Sequence, residues 1–141
     1  MIALIVVAAL VQTPPAETVW TWTLYADSQP VVLAHEAPDT ANLRTTLECD
    51  PGSSVAQLTL YGRPALSGMT RITAGDASAV SEAASSRAGA SRFAIRTDHP
   101  VFAAFTVDGR MAVSAGDLRR PVEVAPNHLA KLRRFAELCS G

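Results

Sequence analysis

The chain is short of lysine, cysteine and aromatic side chains, and neither sign of charge is in excess. Lys131 is the only lysine, and the 12 basic residues against 13 acidic ones leave a net charge of −1. That balance excludes the basic surface by which nucleic acid is held, so no nucleic-acid partner is expected. The two cysteines, Cys49 and Cys139, form neither a Cys-x-x-Cys redox pair nor a zinc knuckle. There is no Gly-x-Ser-x-Gly elbow, no His-Glu-x-x-His and no glycine-rich phosphate loop. No catalytic residue, metal ligand or cofactor is therefore assigned, and the protein is expected not to be an enzyme. The unbroken apolar run over residues 2–11 is too short to span a bilayer, which takes roughly 20 residues.

That run has the length of the apolar region of a secretory signal peptide. It ends in Gln12-Thr13-Pro14-Pro15, where proline stops a helix. We expect residues 1–12 to be an export signal, 13–17 a linker and 18–141 a single β-rich domain. A buried first strand is the competing reading, since Ile and Val favour strands. The expected location is the periplasm or the medium, with no stable membrane span after processing. An exported chain can oxidise its cysteines, and closing a loop as long as the one from Cys49 to Cys139 contributes roughly 4 to 5 kcal/mol in the chain-entropy model.

Period-two alternation marks the strands. Trp20, Trp22 and Leu24 share one face of the first, and Val31 to His35 form a second. In Leu43–Cys49, Leu43, Thr45, Leu47 and Cys49 face inward while Arg44, Thr46 and Glu48 face outward. Asp50-Pro51-Gly52-Ser53 turns the chain into Val55–Tyr61, with Ala56, Leu58 and Leu60 inward. Met69–Thr73 suits a short strand. Residues 74–91, rich in Ala, Ser and Gly, fit an edge hairpin, a poor helix or a loop. Phe93 and Ile95 point inward from the next strand.

Residues 98–106 read as a short helix, capped by Thr97 or Asp98, with Pro100 in its first turn and Gly109 beyond its end. Strands are expected at 110–114 and 121–124. Asn127 suits an N-cap, and Leu129, Leu132, Phe135, Ala136 and Cys139 recur along one face of a helix over 127–139. Cys139 thus faces the sheet from the helix, and Cys49 faces the helix from the sheet, so the two are expected to bond. The fold class is α+β but mainly β: a small antiparallel β-sandwich or barrel-like sheet with a C-terminal amphipathic helix packed on it. Trp20, Trp22, Leu47, Leu58, Leu60, Phe93 and Met111 are expected in the core.

The remaining polar residues give weak signals. His35 precedes Glu36 and Asp98 precedes His99, but strand neighbours point to opposite faces and adjacency makes no dyad. The paired tryptophans suit either core packing or a carbohydrate platform. Arg87, Arg92 and Arg96 lie close together and could form a ligand surface for an acidic envelope component; Arg119 and Arg120 are adjacent. The layout is loosely similar to small exported accessory proteins of Gram-negative bacteria, with no motif from which a functional residue carries over. The expected function is a non-catalytic binding or accessory module of the envelope, its partner an envelope protein or an acidic envelope component. A small hydrolase built on a His/carboxylate site and a passive structural protein are the alternatives.

Overall fold

The computed structural model describes residues 19–85 and 89–141. The expected export signal over 1–12, the linker and Arg87 lie outside the described residues. Nine antiparallel strands form one sheet: β1 (Thr21–Tyr25), β2 (Val31–Glu36), β3 (Leu43–Cys49), β4 (Val55–Leu60), β5 (Gly68–Ala74), β6 (Ala77–Ser85), β7 (Ser91–Arg96), β8 (Arg110–Ala115) and β9 (Leu118–Glu123). Helix α1 (Pro100–Asp108) joins β7 to β8, and a 3-10 turn (Pro126–His128) leads into α2 (Leu129–Cys139).

The spatial order is β1-β2-β3-β4-β7-β6-β5-β8-β9. The first four strands meander, β7 joins β4, and the β5–β6 hairpin folds back so that β8 can add to β5. The sheet curls into a half-barrel, far enough for the indole Nε1–H of Trp22 on β1 to donate to the main-chain carbonyl of Glu123 at the end of β9, at 3.1 Å. The barrel-like form, rather than two stacked sheets, is the one adopted.

The inner face carries the core. Leu33, Leu47, Leu58, Ile72, Phe93 and Val113, one each from β2, β3, β4, β5, β7 and β8, are all buried. Helix α2 lies on β1 and β2, and α1 lies on β5, β6 and β8. Phe102 and Phe105 of α1 meet edge to face at 6.2 Å, and Leu132, Phe135 and Cys139 are the buried residues of α2. Burying that many large side chains supplies the driving force, at roughly 1.5–3 kcal/mol each.

Cys49 and Cys139 are bonded, with their Cα atoms 5.8 Å apart across a separation of 90 residues. Main-chain bonds reinforce the junction. Gly52 N–H and Ser54 N–H, from the β3–β4 turn, donate to the carbonyls of Leu138 and Cys139 at 3.0 and 2.7 Å. Carbonyls that the last turn of a helix leaves unpaired are thereby satisfied.

Four local expectations need correction. Trp20 is only half-buried and lies outside the core, because it precedes β1 and has no strand behind it. The first helix starts at Pro100, and its cap is His99, whose Nδ1 accepts from Val101 N–H at 3.0 Å. Asp98 does not cap because Arg96 holds its carboxylate in a fork of 2.9 and 3.0 Å. Asn127 falls inside the 3-10 turn, so the terminal helix begins at Leu129.

The Ala/Ser-rich stretch contains the whole of β6. Its Ala77, Ala79 and Ala83 are small, which lets α1 lie close over the hairpin. Gly109, at φ +76°, ends α1 in the left-handed region, and its N–H donates to Phe105 at 2.7 Å.

Candidate functional site

Where β1 approaches β9 without pairing, the curl leaves a cleft of about 500 Å3. Its wall on the β1 side is a cross-strand row. Trp22 opposes His35, and His35 opposes Thr45. The rings of Trp22 and His35 lie parallel, 4.7 Å apart and 6° from coplanar, while Trp20 approaches the same imidazole at 5.7 Å, tilted by 58°. Trp22 is pinned at both ends. Besides its bond to Glu123, its main-chain carbonyl accepts from Lys131 Nζ of α2 at 2.6 Å.

Arg44 reaches this cleft because of a bulge. The β2–β3 register runs regularly to His35↔Thr45 and then jumps to Glu36↔Leu43, so Arg44 is the extra residue. Strict alternation would send Arg44 outward with Thr46 and Glu48; the bulge turns it instead to lie over Trp20, with its guanidinium carbon 4.0 Å from the ring centroid. Bulges re-aim side chains in this way at sheet edges and binding sites.

The far wall comes from the loop after β4 and from β9. Arg120 spends its guanidinium on that loop, donating to the carbonyls of Tyr61, Gly62 and Pro64 at 2.8, 3.3 and 3.1 Å. Buried Ser91 holds the loop's other end, accepting from Leu66 N–H at 2.8 Å and donating to its carbonyl at 3.1 Å. Arg63 therefore extends into the cleft from an anchored loop. Of the lining residues only Glu123 is acidic, set against Arg44, Arg63 and Arg120.

Burial and neighbouring positive charge favour the neutral forms of His35 and His128. Burial, then Arg44 and His128, push the His35 pKa below its ordinary value. Burial, then Lys131, do the same for His128, whose Nδ1 is buried without a hydrogen-bond partner. A neutral His35 can accept or donate one hydrogen bond at neutral pH, and it stacks on Trp22 without the cost of a desolvated charge.

The sequence-derived site residues lie elsewhere. Arg92 and Arg96 share the outer face of β7. Arg92 is bonded to Glu48 at 3.1 Å and Arg96 to Asp98, so each already has a carboxylate. His99 caps α1. Trp22 is 2% exposed and offers no open plate for a sugar ring. No group of three or more His, Cys, Asp or Glu side chains suited to a metal occurs among the described residues.

Sequence reasoning missed Arg44, Arg63 and Glu123 because they converge from three separate elements. The adjacency of Arg119 and Arg120 was the one visible signal, and it concerned the residue that props the loop. The disulfide, and the absence among the described residues of a helix able to cross a membrane, are compatible with an exported protein. Compared with protein-family models, curated proteins and solved structures, the chain matches none.

Proposed function

We propose that this protein is an exported, non-catalytic binding module of the cell envelope, and that it takes its ligand in the cleft between β1 and β9. The observation that carries this reading is the convergence of Arg44 and Arg63 on a cleft whose walls are fixed by Trp22, Arg120 and Ser91. Preorganised walls bind at lower entropic cost than mobile ones. The cysteine bridge supports export, because such bonds persist in oxidising compartments.

A photo-crosslinking amino acid at Pro121, on the exposed rim of the cleft, tests the reading in living cells. The chain should be recovered from the periplasmic fraction, carrying an added mass after irradiation. The same probe at Val107, on α1 and outside the cleft, should add none. Recovery from the cytoplasm, or an unmodified chain at both positions, refutes the proposal.

One observation favours a second reading. His35 borders the cleft, and its burial favours the neutral imidazole, the form that can accept a proton. A hydrolase of this kind would cleave chromogenic esters or glycosides and lose that activity in His35→Asn. Equal background rates with wild type and variant dispose of it.

A further inference from the structure

The cleft carries more cationic charge than its surroundings neutralise. Among the described residues neither Arg44 nor Arg63 has a carboxylate partner, whereas Arg92 and Arg96 on the outer face both do. The main chain that carries each of these arginines is held in place. Arg44 is turned by the bulge to lie over Trp20, a contact to the ring that leaves its N–H donors without a carboxylate partner. Arg63 projects, exposed, from a loop whose main chain is anchored at both ends. Two such forks are suited to an oxyanion.

The lining narrows the class of anion. A volume of about 500 Å3 is far larger than an inorganic ion needs and lies in the range of small organic ligands. Arginine, threonine and histidine side chains make a poor bed for an acyl chain. Of the aromatic rings in the lining, Trp22 is buried and covered by His35, which leaves the half-buried Tyr61 as the one ring open to a ligand, a single hydroxyl-bearing plate that suits a sugar face. Thr45, on the same row, adds a hydroxyl. The lining thus suits a ligand that is polar, anionic and ring-sized.

We infer that the cleft binds an anionic sugar, with its carboxylate or phosphate held between Arg44 and Arg63 and its hydroxyls met by Thr45 and the cleft's main-chain groups. The sugar is either a free sugar acid or sugar phosphate, or a unit of an acidic envelope polysaccharide. This rests on the binding-module reading above and supplies its ligand class.

Titration of the oxidised protein with galacturonate, oligogalacturonate, galactose 1-phosphate, galactose and inorganic phosphate, followed by 1H–15N NMR at low salt, tests the inference. Galacturonate or galactose 1-phosphate should shift the Trp22 indole N–H and the Thr45 amide saturably, and galactose should not. Response to the oligomer alone also supports the class and identifies a polymer as the source. Arg44→Gln and Arg63→Gln should each weaken binding about tenfold, the loss of one charge-assisted contact, while Arg92→Gln on the outer face leaves it unchanged. Galactose or inorganic phosphate binding as tightly as the anionic sugars overturns the inference, and so does the absence of any saturable shift. If the Pro121 crosslinker captures an envelope component while every sugar probe fails, the ligand class is wrong and the binding module stands.

Discussion

Gly109 offers a sharp test of how the wall of the cleft is held. A Cβ added there would lie 2.3 Å from the carbonyl oxygen of Val124 and 2.8 Å from Leu129 Cδ2. The first of these is main chain and cannot swing away. The backbone at Gly109 also sits at φ +76°, which costs an L-residue roughly 1–2 kcal/mol. Relieving the clash pushes the segment after β9 outward and strains the 2.7 Å bond from Val124 N–H to the Gly109 carbonyl, at about 1–3 kcal/mol more for a buried pair broken or bent. Gly109→Ala should therefore destabilise by about 2–5 kcal/mol, a large share of the 5–15 kcal/mol typical of a domain. Gly116→Ala is the control, since φ is +56° and nothing lies within 4 Å of its added Cβ. It should cost only the strain, about 1–2 kcal/mol. Urea denaturation followed by tryptophan fluorescence measures both. Equal losses in the two variants would refute the close approach of the α1–β8 junction to the chain leaving β9.

Further outcomes follow from other parts of the molecule. Replacing both cysteines with serine should cost about 2–5 kcal/mol and shift the urea midpoint down; an unchanged midpoint would mean that the bridge constrains nothing. His35 and His128 both have folded-state pKa values below their ordinary 6.5. Their contribution is complete above that value and is lost as pH falls toward the lowered folded pKa, because the unfolded chain takes up protons first. Stability should thus decline between pH 7 and 5, less steeply in His35→Phe, and a flat profile contradicts the assignment. Arg120→Ala strips donors from the carbonyls of Tyr61, Gly62 and Pro64. It should cost about 1–2 kcal/mol and broaden the Arg63 amide signal in NMR, whereas a sharp, unmoved signal would show that the loop stands without it.

The parts of the fold that could be read from the sequence are those with one strong period. Cys49 lies on an alternating strand and Cys139 on a helical stripe, and each pattern fixes the face on which a sulfur sits. Leu47, Leu58 and Phe93 reach the core for the same reason. The β5–β6 hairpin was obscure because α1 covers it closely and selects alanine there, leaving little apolar contrast between faces. The start of α1 was obscure because Thr97 and Asp98 read as its caps, whereas Arg96 engages the Asp98 carboxylate and His99 caps instead. The cleft was least legible of all. Arg44 breaks the alternation through a bulge that no local residue announces, and Arg63 matters only because Arg120, far along the chain, holds its loop.

Native mass spectrometry of the protein released from its own cells by osmotic shock puts the cleft to the most direct trial. A population of chains should carry a small polar adduct that collisional activation removes, and Arg44→Gln should arrive without it. Bare chain mass in wild type and variant alike would contradict a ligand-holding role for the space between the first and last strands.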